Sequence, residues 1–299
     1  MRDVNETSIR YATVPEIPPI VSTDELDRYP HAVFADVRWY LDGRDARAIY
    51  ERGHLPEAVF VDLETDLSAH DGPSTDGRHP FPTPTAFAAA MSELGIGDST
   101  TVIAYDDSGG ATAGRLVVML RMIGREAAVL DGGIGAWGHG LEVGVGRRRG
   151  AAPFTPVEWP ARRFANADTT AEVARSASTT VLDARSAERF SGDVVAIDPR
   201  AGHIPGAVSA PFSAVLDPDT KRFLPVAQLR AHFESLGVDA DGSNSGDASA
   251  ITYCGSGVSA CVNILAMEHA GLPMARLYVA SMSGWSADPE RPLEVGGGR

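Results

Sequence analysis

Short apolar runs alternate along this chain with longer segments in which apolar residues recur at helical spacing. In the first half we predict strands at 32–37, 59–62, 101–105 and 127–130, and helices at 44–52, 85–94 and 113–123. In the second half we predict strands at 180–183, 207–211, 249–253 and 277–279, and helices at 226–236 and 258–270. Strands separated by helices of this length indicate α/β domains in which helices cover both faces of a parallel sheet.

Three landmarks of the first half recur in the second half at offsets of 147 to 149 residues. They are an Asp-x-Arg element, a Gly-His-x-Pro-x-Ala-Val element, and a stretch that runs from a Tyr to a Trp. They lie at 36–38 and 183–185, at 53–59 and 202–208, and at 105–137 and 253–285. The constant spacing predicts two copies of one domain, at 1–140 and 166–299, joined by a linker at 141–165.

The strand predicted at 249–253 delivers Cys254 into a loop of small residues, and a helix is predicted to follow. Small residues such as Gly255 and Gly257 let successive backbone N–H groups turn inward around the sulfur. The helix N-terminus adds partial positive charge, so the thiolate is favoured. The alternative is that Cys254 is a structural cysteine packed in the core. A cysteine in that role does not require two glycines beside it. The first copy has Asp106 at the equivalent position, so we expect that copy to be catalytically inactive.

The doubled Gly-His element, the cysteine loop and the closing Trp resemble the tandem rhodanese-like sulfurtransferases over nearly the whole chain. The loop Cys254-Gly255-Ser256-Gly257-Val258-Ser259 is similar to that of the 3-mercaptopyruvate sulfurtransferases, whereas thiosulfate-specific relatives carry Arg directly after the Cys. The resemblance implies a Cys254 persulfide, formed from mercaptopyruvate with release of pyruvate, and no metal or organic cofactor. Residues Gly255, Gly257, Val258 and Ser259 would surround the substrate. Thiosulfate is the alternative donor, and a non-catalytic sulfur carrier is a further one.

The resemblance also implies a relay of a loop serine, a histidine and a carboxylate across the domain interface. Matching motifs point to Ser256, to His79 in the segment 78–82 and to Glu64 in the segment 61–64. Asp62 is an alternative carboxylate. His54 and His203 recur in both copies although only one copy has the cysteine, so we assign them to a structural turn.

Recognition of a 2-oxo acid needs a planar cationic fork for its carboxylate, which arginine supplies. The family uses two arginines of the second domain, and matching positions point to Arg189 and Arg200. The spacer between Arg200 and His203 is shorter than the family pattern. Arg185 is repeated as Arg38 in the inactive copy, so it is better explained by an ion pair inside the fold.

The composition limits which binding partners are plausible. A net charge of −14 argues against nucleic acid as a partner, because a phosphate backbone needs a basic surface. The first twenty residues contain several charged side chains and no apolar run, so we expect neither a signal peptide nor a membrane anchor. Two cysteines do not make a disulfide framework and fit a reducing cytoplasm, where a small thiol or thioredoxin could accept sulfur. We predict that Cys261 packs in the core. Met282 stands where relatives commonly have a Trp. The change either widens the substrate pocket or is a neutral substitution in the core.

Overall fold

The computed structural model describes residues 15–146, 149–176, 179–195, 197–238 and 250–297. The first half contains strands β1 (Ile20–Val21), β2 (Val33–Asp36), β3 (Val59–Phe60), β4 (Val102–Tyr105) and β5 (Ala127–Leu130), and helices α1 (Ala46–Arg52), α2 (Pro84–Glu93) and α3 (Ala113–Met122). The strands pair in the order β1-β5-β4-β2-β3, and every pairing is parallel.

The second half repeats this arrangement. Its strands are β6 (Thr180–Asp183), β7 (Val208–Ser209), β8 (Ala250–Tyr253) and β9 (Arg276–Leu277), and its helices are α4 (Ala167–Ser176), α5 (Ala187–Ser191), α6 (Val226–Ser235), α7 (Ala260–His269) and α8 (Ser281–Ala287). The order is β7-β6-β8-β9, again with parallel pairing throughout. The predicted α/β class, with a parallel sheet in each half, is therefore confirmed.

The central strands β4 and β8 are buried at every position, as expected for strands with helices on both faces. Strands β3 and β7 keep only two paired residues each, shorter than the sequence predicts. The prediction missed β1, α4, α5 and α8. Of these, β1 and α5 are too short to show a period, and α8 is built mainly from small residues and serine. Residue 249, predicted to begin β8, lies outside the described residues.

The repeated Asp-x-Arg elements form buried ion pairs at the carboxyl ends of β2 and β6. In the second half Arg185 Nη2 lies 2.6 Å from Asp183 Oδ2 and also donates to the carbonyl of Gly202 at 2.8 Å. In the first half Arg38 makes the same contacts with Asp36 and Gly53. Each pair ties the end of a strand to the Gly-His turn, which confirms the structural assignment of Arg185.

The two Gly-His turns are also structural. The His203 ring stacks on Phe190 with 3.7 Å between ring centroids, and its Nδ1 lies 2.8 Å from the Phe190 carbonyl oxygen. His54 stacks on Tyr50 in the same way. Because both copies share these contacts, neither histidine belongs to a cysteine-dependent site.

The two halves pack against each other through α3 and α7. Gly114 of α3 lies so close that a Cβ there would be 3.6 Å from Cys261 Cβ and 3.5 Å from Leu265 Cδ1. A cross-domain ion pair joins Arg121 of α3 to Glu268 of α7 at 2.5 Å. One hydrophobic core, which includes residues of both halves, runs through this interface. The carboxyl end of β8 therefore faces the first half rather than solvent.

The described parts of the linker, 141–146 and 149–165, contact the first half and end at the second, where the N–H of Ala165 donates to the Leu277 carbonyl at 3.0 Å. Glu142 pairs with His54 through backbone hydrogen bonds, and Trp159 Nε1 donates to the Pro82 carbonyl at 2.8 Å. Thr155 contacts Asp98 through both its N–H and its hydroxyl. Within the described residues, no helix combines bilayer-crossing length with apolar character.

We predict that Arg185→Ala will lower the free energy of unfolding by about 3–5 kcal/mol, because it leaves the Asp183 carboxylate buried without its cation. Chemical denaturation measures this loss. The control is Arg230→Ala, which breaks a half-exposed ion pair with Glu234 and should cost less than about 1 kcal/mol. Equal losses in the two variants would contradict the structural role of Arg185.

Candidate active site

Cys254 lies directly after β8, in a loop that is hydrogen-bonded to the first residues of α8. Its side chain is buried, its N–H donates to Ser281 Oγ at 3.1 Å, and its carbonyl accepts from the N–H of Met282 at 3.0 Å. Gly257 has a φ of +74°, and a Cβ there would collide with the carbonyl of Val279. Glycine is therefore required for the loop to close.

The equivalent loop of the first half shows what this backbone shape binds. The Asp106 carboxylate lies inside that loop and accepts hydrogen bonds at 2.8–3.1 Å from the backbone N–H groups of Ser108, Gly110, Thr112 and Ala113 and from the Thr112 hydroxyl. Gly109 has a φ of +76°, close to that of Gly257. The repeated loop is thus an anion cradle, occupied in the first half by the chain's own carboxylate.

In the second half the equivalent loop carries Cys254 at the position of the Asp106 carboxylate. The positions equivalent to the four amide donors of the first loop are Ser256, Val258, Ala260 and Cys261. Val258 is buried, and Ser259 immediately precedes α7. The N–H of Cys261 donates to the Val258 carbonyl at 3.1 Å, so we infer from the equivalence of the loops that the amides of Ser256, Val258 and Ala260 stabilise negative charge on Cys254 and on any sulfur attached to it.

The structure brings Ser256, His79 and Glu64 together across the interface. His79 Nδ1 lies 2.8 Å from Ser256 Oγ, and His79 Nε2 lies 3.1 Å from Glu64 Oε1. Since Glu64 can only accept at Nε2, the neutral ring carries its proton there, and Nδ1 accepts from the Ser256 hydroxyl. Burial lowers the pKa of His79, while the Glu64 carboxylate acts in the opposite direction.

Asp62, the alternative carboxylate, has a different place. Its Oδ1 accepts from the N–H of Glu64 at 2.8 Å and from the N–H of Thr65 at 3.3 Å, so it caps the turn that presents Glu64. The sequence analysis missed Trp39, which contacts two members of the relay. Its Nε1 donates to Glu64 Oε1 at 2.9 Å, and its ring lies edge-to-face with His79.

Of the two arginines assigned to the substrate, the structure places only Arg189 beside the cysteine loop. A Cβ on Gly255 would lie 3.0 Å from Arg189 Nη2. The structure does not place Arg200 beside that loop. Its guanidinium donates to the carbonyls of Trp285, Ser286, Asp288 and Arg291. The short spacer to the Gly-His turn directs Arg200 to the carboxyl end of α8, where it holds the chain after that helix.

Arg78 of the first half takes the position that sequence analysis gave to Arg200. Its Nη2 would lie 3.0 Å from a Cβ on Gly255, as close as Arg189 Nη2. Its backbone N–H donates to Ser283 Oγ at 3.0 Å, which anchors the segment before His79 to α8. Only its position next to His79 in the sequence hinted at this role.

Arg115 is a second cation that the sequence analysis missed. It is fully buried on α3 and donates to the carbonyls of Gly257 and His79, both at 2.9 Å, and of Leu67 at 3.2 Å. Its guanidinium carbon also lies 3.9 Å from the Phe81 ring centroid. Burial lowers the pKa of Arg115 to about 10, so it remains charged at neutral pH. A cation within the apolar run of α3 was the available signal.

The remaining predicted side chains belong to the core. Cys261 is buried, its Sγ lies 3.6 Å from the Gly257 carbonyl oxygen, and burial raises its pKa to about 12. It therefore stays a thiol, as the prediction of a packed cysteine requires. Met282 is fully buried in the core of the second half with Trp285, which favours the neutral core change over a wider pocket.

Comparison with known proteins gives consistent matches. A family model described as "Rhodanese-like domain" matches residues 22–139 and 166–288. A Pseudomonas aeruginosa protein named "Probable 3-mercaptopyruvate sulfurtransferase" is 38% identical over 276 residues, covering 89% of this chain and 93% of that protein. A Mycobacterium tuberculosis protein named "Putative thiosulfate sulfurtransferase SseB" is 40% identical over 266 residues, covering 87% and 90%. The solved structure of 3-mercaptopyruvate sulfurtransferase from Leishmania major superposes with a TM-score of 0.78 at 29% identity, covering 91% of this chain and 76% of that one.

We predict that Glu64→Gln will lower the pKa of His79 further, because the carboxylate is the group that raises it against the effect of burial. Proton NMR of the histidine ring during a pH titration measures the change. The matched control is Asp62→Asn, which removes a neighbouring carboxylate that does not touch the ring. A His79 pKa that moves in the control and not in Glu64→Gln would assign the acid to Asp62 instead.

Proposed function

The chain belongs to the rhodanese-like family, and from that membership we propose that it is a sulfurtransferase that moves sulfur from 3-mercaptopyruvate through Cys254 to a thiol acceptor or cyanide. The observation that carries this proposal is the assembly around one buried cysteine of an anion cradle, a Ser-His-Glu relay and two guanidinium groups. The first-half loop, filled by Asp106, has no nucleophile and takes no part in the chemistry.

The first half-reaction makes one S–S bond and breaks one C–S bond. The Cys254 thiolate attacks the sulfur of mercaptopyruvate, and the electron pair of the C–S bond leaves with the carbon as the enolate of pyruvate. A thiol acceptor then attacks the outer sulfur of the persulfide and restores the Cys254 thiolate. In this proposal the loop amides that correspond to the donors of Asp106 stabilise both the thiolate and the persulfide anion, so one loop serves both states of the cycle.

The relay supplies a route for the donor's thiol proton. Ser256 Oγ takes this proton while passing its own to His79 Nδ1, and Glu64 stabilises the imidazolium that results. Reversal of the same steps gives the proton to the enolate, which becomes pyruvate. The products are then pyruvate and the deprotonated persulfide, and no proton has been gained or lost overall. The lowered pKa of His79 keeps it neutral and ready to accept near pH 7.

Thiosulfate is the second candidate donor, and one observation favours it. The sequence argument against thiosulfate was that position 255 lacks a cation. The guanidinium groups of Arg78 and Arg189 lie beside Gly255, and this position supports a role in meeting a leaving sulfite. Steady-state kcat/KM values for the two donors on one preparation decide between them, and a preference for thiosulfate would overturn the mercaptopyruvate assignment.

The acceptor and the compartment follow from the chemistry of the intermediate. A persulfide is discharged by a thiolate, so we propose a small thiol or a thioredoxin-like dithiol as acceptor in a reducing cytoplasm. The retained nucleophile and its relay argue against a purely non-catalytic sulfur carrier. Such a carrier would need the cradle but not the contact between Ser256 and His79.

We predict that Cys254→Ser will abolish sulfur transfer with the fold intact, because a serine hydroxyl is scarcely ionised at neutral pH and cannot hold a persulfide. In the unmodified protein, mass spectrometry after exposure to mercaptopyruvate should find one added sulfur atom on the peptide that contains Cys254. Cys261→Ala is the matched control and should keep most turnover. Transfer that persists in Cys254→Ser would refute the mechanism.

We predict that Arg189→Ala and Ser256→Ala will separate binding from chemistry. A carboxylate clamp contributes equally in the ground and transition states, so Arg189→Ala should raise KM and cost about ten- to a hundredfold in kcat/KM. Ser256→Ala should act mainly on kcat, because its hydroxyl matters as the proton moves. Arg200→Ala is the control for loss of an arginine outside the site and should leave KM near that of the unmodified protein. Unchanged mercaptopyruvate kinetics in Arg189→Ala would remove Arg189 from the site.

A further inference from the structure

A buried carboxylate links the two arginines that face the cysteine loop. Asp198 Oδ1 accepts from Arg78 Nη1 at 2.9 Å, and its Oδ2 accepts from Arg189 Nη2 at 2.5 Å. Its side chain is only 5% exposed. The mechanism described above gives Asp198 no role, although it touches both guanidinium groups that would meet the donor.

Both arginines also face Gly255, the residue after the nucleophile. The Nη2 atoms of Arg78 and Arg189 would each lie 3.0 Å from a Cβ at that position. Arg78 contacts Asp198 through Nη1 and faces the cysteine loop through Nη2, whereas Arg189 uses Nη2 for both. An anionic donor that approaches Cys254 meets two cations whose charge is already shared with one fixed anion.

The charge count at this point decides which donors match it. Arg185 also approaches Asp198, with 3.6 Å between Arg185 Nη1 and Asp198 Oδ2, but its own ion pair with Asp183 balances its charge. Arg78, Arg189 and Asp198 together leave one net positive charge. A donor that carries one negative charge neutralises it, whereas a dianion leaves one unbalanced negative charge in a half-buried site.

We propose that Asp198 is a specificity-determining residue that sets the charge of the anion clamp formed by Arg78 and Arg189, so that a monoanionic 2-oxo acid is favoured over a dianion such as thiosulfate. The proposal rests on the proposed function and identifies its substrate class. It makes Arg78 of the first half the second arm of the clamp. It also provides a discrimination between mercaptopyruvate and thiosulfate that a glycine at position 255 does not provide by itself.

A purely mechanical role for Asp198 predicts something different. Arg78 belongs to the first half and Asp198 to the second, so their ion pair is also a link between the halves. If Asp198 acted only as that link, its loss would weaken the use of both donors by the same factor. If it sets the charge, its loss will change the ratio between donors, since one unit of charge acts twice as strongly on a dianion as on a monoanion.

The test is Asp198→Asn, which keeps the shape of the side chain and removes its charge. We expect the ratio of kcat/KM for thiosulfate to kcat/KM for mercaptopyruvate to rise by about tenfold. Calorimetric binding of the two products, at a pH where sulfite is a dianion, should show tighter binding of both, with a gain in binding free energy for sulfite about twice that for pyruvate. Arg78→Met should move the ratio in the opposite direction, because it removes a positive charge from the same clamp.

Two controls separate charge from fold. Asp198→Glu retains the carboxylate and should keep the original ratio. Asp193→Asn removes an exposed carboxylate from the same segment and should leave the ratio unchanged. Thermal unfolding confirms that each variant is folded, and Arg78→Met decides the question if Asp198→Asn does not fold. Ratios that stay constant in both Asp198→Asn and Arg78→Met would overturn the proposal.

Failure of the proposed function has a different signature. An unmodified protein that uses neither donor would contradict sulfur transfer itself. The binding measurements would still test the clamp, because they need no turnover. Sulfite binding that is unaffected by Asp198→Asn would then refute the charge-setting role independently of any catalytic assay.

Discussion

The guanidinium group of Arg115 imposes the constraint on which the geometry of the site depends. It is buried at the interface of the two halves, and its hydrogen-bond acceptors are backbone carbonyls rather than a carboxylate. A buried cation is costly unless its N–H groups find acceptors; the carbonyls of Gly257 and His79 accept from its two Nη atoms, while its Nε has no partner among the described residues. One carbonyl belongs to the cysteine loop and the other to the histidine segment. The two bonds to Arg115 therefore hold the cysteine loop and the histidine segment side by side.

Duplication explains why such a constraint arises at this position. Both sheets end in the same kind of loop, and the packing of α3 on α7 places those loops on either side of one interface. The first loop supplies its own anion through Asp106 and is complete without a ligand. Its half then contributes Glu64, Arg78, His79 and Arg115 to the other loop. The second half carries Cys254, so the candidate site takes side chains from both copies.

The sequence was sufficient for what is local and for what is repeated. The alternation of short apolar runs with segments of helical spacing predicted the parallel sheets. The glycines around Cys254 predicted the tight loop, because such a turn restricts which residues can occupy it. Ser256, His79 and Glu64 were found through family motifs, and the structure shows them in contact. The choice of Glu64 over Asp62 needed coordinates, since both lie within one turn and only one points toward the ring.

What the sequence could not predict depends on contacts between distant segments. Arg200 has a suitable residue type near the expected place, but spacing alone did not show that it points to the end of α8. Arg78 and Asp198 lie 120 residues apart and meet only when the halves dock. The amides of the first loop are already saturated by a carboxylate, whereas the equivalent loop of the second half carries a cysteine. In the proposed mechanism the thiolate and the deprotonated persulfide carry the same single charge, and loading with sulfur moves that charge outward by one atom. The second loop must therefore accommodate an anion at two depths, whereas the first is fitted to one.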